Sequence, residues 1–165
     1  MKFLRNPSTR EIFSFPADGS EDAFIPGGLE VMTPEDISVH CNPVYQPTRV
    51  EVDAERDKRI DGGISFNGAH FQSRPIDRER IIEAAQLALM AMTGGAKSDD
   101  LRWMEPEQDF TWITADNTLM PMDAHTILAF ATAVAARTRA LVLAGRRLKD
   151  MEAVPCDYTS DKWWQ

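Results

Sequence analysis

A chain of 165 residues with 43% hydrophobic and 27% charged residues is long enough for one sizeable core, or a small core with an appendage. Its formal charge of −8 argues against non-specific nucleic-acid binding, which needs a basic surface to displace counterions, and against docking on an anionic membrane. The acidic residues are spread along the chain and form no tail.

Residues 1–32 hold short β-prone pieces, EIFSF (11–15), FI (24–25) and LEVM (29–32), punctuated by Pro16, Asp18-Gly19, Pro26 and Gly27-Gly28. Thr33 then offers an N-cap, Pro34 suits the first helical position, and Glu35 and Asp36 favour the positive helix end. This predicts a helix of one or two turns, stopped at Asn42-Pro43. The segment CNPVYQPTRVEV (41–52) reads as an extended linker or edge strand, followed by an alternating-charge run up to Gly62-Gly63. A boundary between residues 48 and 49 divides a small N-terminal module (1–48) from the main domain (49–165).

The main domain uses one device twice: a tight hairpin, Pro-x-Asp, then an apolar helix. Pro75 and Asp77 lie 46 residues before Pro121 and Asp123. Asn67-Gly68 can take the two positive φ values of a type I′ turn, which pairs Phe66 with Ala69 and Ile64 with Phe71. Those four side chains then share one face, and Ser65 and His70 the other. Asp77 is expected to cap the next helix, whose stripe is Ile81, Ala85, Ala88, Leu89 and Met92, with Gly94-Gly95 ending it.

After a polar connector anchored by Trp103, the second hairpin turns Phe110 and Trp112 one way and Ile113 the other, with Asp116-Asn117 at its turn. The last helix starts at Asp123 and runs to about Lys149, roughly 40 Å at 1.5 Å per residue. Ile127, Val134, Leu141 and Leu148 recur every seven residues, and the companion positions Phe130, Arg137 and Ala144 put a charge into the seam. Arg137 and Arg139 also interrupt the longest apolar stretch, so it is not read as a membrane span. The fold class expected is α+β: a small β-rich N-terminal module, then a ββα-ββα domain with a long C-terminal helix.

No nucleophile elbow, phosphate loop, zinc pattern or dinucleotide fingerprint occurs. His40, His70 and His125 have no partners at ligand spacing, so no metal and no cofactor are expected. Cys41 and Cys156 are too few for a disulfide framework. They read as reduced thiols, with one bridge as the alternative. The start, MKFLRNPSTREIF, has no apolar h-region and is not read as a signal peptide.

The aromatic residues carry more information. Phe66, Phe71, Phe110, Trp112 and Phe130 are expected to form the core between hairpins and helices, with Trp103 as its lid. Trp163 and Trp164 put two indoles on a polar tail beside Tyr158. Either the tail folds back on its own domain or the indoles anchor a partner, for which tryptophan is a frequent hot-spot residue. Trp103, Tyr158, Trp163 and Trp164 are the candidate partner-binding residues. The small residues of the last helix, Ala124, Ala131, Ala135, Ala140, Ala144 and Gly145, permit close packing within the domain or self-association through this helix.

The stretch RDKRIDGGISFNGAHFQSRPIDRERI, with DFTWITADNTLMPMDAHTI and AGRRLKD further on, resembles a domain of unknown function common in tailed-phage and prophage genes, over residues 55–160. The first forty residues, ending in IPGGLEVMTPEDISV, resemble the start of phage tail-fibre assembly chaperones. This resemblance implies a non-enzymatic tail-fibre accessory protein that binds the fibre and acts in the bacterial host cytoplasm during assembly. A permanent structural or receptor-binding component of the virion tail is the alternative, and a glycan hydrolase would need two carboxylates at catalytic separation across a cleft.

Overall fold

The computed structural model describes residues 1–42 and 45–165, which fall into two compact units, Met1–Tyr45 and Gln46–Gln165. The fold is α+β. In the first unit β1 (Lys2–Arg5) is the central strand of a three-stranded antiparallel sheet, flanked by β2 (Ile12–Phe15) and β3 (Glu30–Val31). β1 is too short to stand out from the sequence, and Phe24 lies in a 3-10 turn (Asp22–Phe24), not in a strand. Thr33 caps α1 (Pro34–Cys41), its Oγ accepting from the Asp36 amide at 3.1 Å, and Asn42 closes the helix. Pro43, expected to stop this helix and extend the chain, lies outside the described residues. Leu4 and Met32 are the large apolar side chains this unit buries among the described residues.

The second unit opens with α2 (Arg49–Asp61), where the sequence suggested an extended linker and a solvated charge run. Thr48 and Glu51 form a reciprocal capping box: the Glu51 carboxylate accepts from the Thr48 amide at 2.7 Å, and the Thr48 hydroxyl accepts from the Glu51 amide at 3.3 Å. The charge run is a set of pairs one helical turn apart, Asp53 with Arg56 and Glu55 with Arg59. Only Val52 and Ile60 are buried, too sparse a stripe to announce a helix.

The order from there is β4 (Ile64–Phe66), β5 (Ala69–Phe71), α3 (Pro75–Thr93), β6 (Thr111–Ile113), β7 (Leu119–Pro121) and α4 (Ala124–Lys149). With α2 in front, the arrangement is α-ββα-ββα. The first hairpin has the expected register, Ile64 opposite Phe71 and Phe66 opposite Ala69, with φ of 46° at Asn67 and 81° at Gly68. Gly63 also needs its identity: at φ 92°, a Cβ there would overlap the Phe71 carbonyl and the His70 ring.

The two Pro-x-Asp motifs are not equivalent. Pro75 is the first residue of α3 and Asp77 is its third, accepting from the Arg74 amide at 3.1 Å, so Arg74 holds the N-cap position expected of Asp77. Pro121 ends β7, and Asp123 is itself the N-cap of α4, accepting from the Thr126 amide at 2.7 Å. The helices therefore begin 49 residues apart, at Pro75 and Ala124, while the motifs repeat at 46.

Two hydrophobic cores result. The first joins both hairpins, α3 and the front half of α4. Phe71 and Phe130 are fully buried with ring centroids 4.7 Å apart, and Phe66 and Trp112 pack on Phe130 at 5.3 and 6.0 Å. Trp103 closes it as expected, its ring 4.8 Å from that of Phe110 and its Nε1 donating to the Met122 carbonyl at 3.1 Å. The second core joins Val52 and Ile60 of α2 to Leu141, Ala144 and Leu148 of α4, with Val154 and Trp164. A buried hydrogen bond from the Ser73 hydroxyl to the Ile60 carbonyl, at 2.5 Å, ties the end of the first hairpin to α2. By length and composition α4 is apolar enough to cross a bilayer, but its heptad seam meets these two protein cores.

Gly68 has open space around it, so Gly68→Val tests backbone strain alone. The variant is expected to lose about 1–3 kcal/mol in a denaturant titration. An unchanged midpoint would mean that the turn does not need its positive φ.

Asp123 is buried, which pushes its pKa up, but hydrogen bonds from Thr126 and the Asp99 amide outweigh burial and hold it below the usual aspartate value. Its folded pKa is thus below its unfolded one. The stabilisation is complete above about pH 4 and is lost as pH falls further. Asp123→Asn keeps a capping oxygen without the titration, so its thermal midpoint should fall less than that of the wild type on acidification. Parallel curves would remove Asp123 from the acid response.

Candidate functional site

The described residues contain no group of three His, Cys, Asp or Glu side chains placed to hold a metal ion. His70 sets Nε2 3.0 Å from the Gly62 carbonyl, and His125 buries an Nδ1 with no partner. Cys41 and Cys156 are exposed, and neither is in a disulfide. The displaced carboxyl pKa values all move downward. Asp57 is held low by Arg56, Asp77 by Arg74, Asp116 by the Thr114 hydroxyl and Asp157 by Lys162. These groups are ionised acceptors serving helix starts, turns and ion pairs.

The four aromatic residues singled out from the sequence do not form one surface. Trp103 belongs to the first core. Tyr158, Trp163 and Trp164 gather at the second, because the tail folds back on its own unit. Trp164 is only 6% exposed. Its Nε1 donates to the Tyr158 carbonyl at 2.7 Å, and the Arg59 guanidinium lies 5.2 Å from its ring centroid. Gly145 of α4 sits beneath the indole, so the close approach allowed by the small residues of α4 is used here by the chain's own tail. Trp164 is thus packed in this core, and a partner could reach it only by unpacking it. Trp163 stays half-buried, with Nε1 bonded to Asp157 at 3.1 Å and the Lys162 ammonium 4.9 Å from its ring.

The apolar surface lies elsewhere, mainly on α3. Ile81, Ala84 and Ala88 are buried, but Ile76, Ile82, Leu87, Leu89 and Met90 are all at least 43% exposed. Leu89 was expected in the core stripe but is exposed, and Ala84 is buried instead, on the face with Ile81 and Ala88 that packs mainly against α4. The sequence signal was present: IIEAAQLALMAM is apolar on every side of the helix, and such a helix is usually covered. Ile82 and Leu89, seven residues apart, share one face with Met90 beside them. Val142 and Leu143 of α4, and Ile113 and Leu119 of the second hairpin, are also exposed. Between the hairpins runs an open groove of about 630 Å³, lined by Ala69, His70, Ala115, Thr118 and Met120 among others.

A family model, Domain of unknown function (DUF4376), matches residues 45–161. The chain belongs to the DUF4376 family. No curated protein and no solved structure matches it. The DUF4376 match starts at Tyr45 and takes in α2, both hairpins, α3 and α4. It stops just before Trp163 and Trp164, so these indoles complete the second core from beyond the matched segment.

Burying one indole at ~25 cal/mol per Å² stabilises by about 4–6 kcal/mol before ordering costs. Deleting residues 160–165 should therefore lower the stability of the isolated chain by several kcal/mol in urea, roughly the scale of a large-to-small core substitution. A truncated chain as stable as the full one would show that the tail does not belong to this core.

Proposed function

We propose that this DUF4376 protein is a non-enzymatic bacteriophage or prophage tail-fibre accessory protein that assists fibre assembly by binding the fibre. The observation that carries the reading is the uncovered apolar surface of α3, five large side chains on one 19-residue helix. Large apolar side chains left exposed in this number on one helix are characteristic of protein–protein contact sites. Its chemistry suits a protein that shields apolar surface and strand edges of a fibre until assembly is complete, since such edges aggregate when left open. The tail-fibre assignment rests on the sequence resemblance of GGISFNGAHFQS and FTWITADN, and the host cytoplasm is where such a protein would act.

Co-expression with the neighbouring fibre gene product tests the reading. The fibre should be recovered soluble and in complex with this chain, and Leu89→Glu should reduce that recovery while leaving the thermal midpoint of the chain unchanged, because Leu89 is outside the core. Fibre solubility that is the same with or without the chain would refute assembly assistance. Stoichiometric retention in purified particles would instead identify a permanent tail component.

A further inference from the structure

The outer edge of β6 is unpaired up to Ala115, whose amide donates to the His70 carbonyl at 2.8 Å, and the phase of the hairpin can be read from two further bonds. The Thr114 amide donates to the Thr118 carbonyl at 2.9 Å, and the Met122 amide to the Phe110 carbonyl at 3.1 Å. In an antiparallel ladder, hydrogen-bonded and non-bonded pairs alternate. Trp112 opposite Met120 is therefore the bonded pair between them, while Thr111 opposite Pro121 and Ile113 opposite Leu119 turn their backbone groups outward, with no N–H at Pro121. Outside the β6–β7 ladder, neither Thr111 nor Ile113 makes a backbone hydrogen bond among the described residues.

This edge borders a groove of about 460 Å³ whose other wall is Gln72, Arg74, Asp77 and Arg80 at the start of α3. Asp77 occupies Arg74, its carboxylate accepting from Nε at 2.8 Å. Asp77 also feels the charge of Arg80, which makes no ion pair or hydrogen bond of its own among the described residues; two arginines against one carboxylate leave this wall with one net positive charge in a chain of net charge −8. Unpaired strand groups select an extended backbone, and the net positive wall with Arg80 outside any ion pair selects a carboxylate.

We propose that the outer edge of β6 binds an extended, acidic segment of a partner polypeptide by strand addition, with Arg80 receiving a carboxylate. A second copy would offer Thr111–Ile113, a strand without an acidic residue, so β6-to-β6 pairing about a two-fold axis brings no carboxylate within the strand for Arg80. The exposed Ile113 side chain gives an incoming strand an apolar contact in addition to the backbone ladder. This site is independent of the tail-fibre reading, since the chemistry does not depend on which protein supplies the segment.

The test uses the full chain and two short labelled peptides, one alternating threonine and glutamate, the other threonine and lysine. Fluorescence anisotropy should show binding of the acidic peptide and none of the lysine peptide. Arg80→Glu should weaken the acidic peptide by roughly tenfold or more. Ile113→Pro removes an outward amide at an edge position, so it should abolish binding at an unchanged melting temperature. Amide hydrogen exchange on the wild-type chain decides the matter even if that variant is unstable: the acidic peptide should protect Thr111 and Ile113. Equal binding of both peptides, no binding, binding without protection of those two amides, or a peptide-free dimer that protects them would each overturn the proposal.

Discussion

One long helix has to serve two cores, and most of the second unit is arranged around that constraint. Ile127, Phe130 and Val134 of α4 face the hairpins and α3, while Leu141, Ala144 and Leu148 face α2 and the tail. The seam changes partners at Arg137. There the guanidinium is half-buried and donates to the Arg59 carbonyl at 2.8 Å, and burial, together with the Arg59 charge, draws its pKa down. A charge in the middle of a heptad looks like a flaw when the helix is read alone. It marks the joint between two sets of apolar neighbours.

Arg59 holds the other side of that joint. It pairs with Glu55 one turn earlier in α2, donates to the Thr159 carbonyl at 2.7 Å, reaches Asp161 at 2.8 Å and lies over the Trp164 ring. Asp161 is almost fully exposed, so that ion pair is of the kind worth at most about 1 kcal/mol. The larger contribution comes from burying the indole. The polar contacts around it fix which way the tail lies.

How much of this could be read from the sequence depended on how local the signal was. The first hairpin was readable in detail because Asn67-Gly68 selects a single turn type, and the turn fixes the register. The seam of α4 was readable because its period persists over four turns and more. α2 was not, although Thr48 and Glu51 spell a capping box: two buried anchors eight residues apart carry no period, and Pro47 beside valines suggested an extended chain. The repeat of Pro-x-Asp misled by three residues, since local spacing cannot say whether an aspartate stands at the N-cap or within the first turn. Folding back of the tail was one of two readings left open, and the choice between them was beyond reach for a different reason. It depends on Val52, Ile60 and Gly145, which only the folded chain brings to the tail.

The shared helix also sets the order in which the unit comes apart. A single hydrogen-bonded ladder runs through two packing environments, so the two ends of α4 belong to different cooperative units. Release of the tail takes Val154 and Trp164 away from Leu141, Ala144 and Leu148 and leaves α2 as their cover, so the end of α4 beyond the Arg137 joint is expected to open first. The amides around Ile127 and Phe130 remain locked until the hairpins themselves open. α4 is therefore continuous as geometry but divided in its packing, and amide exchange is expected to be faster in the half that faces α2 and the tail than in the half that holds the hairpins.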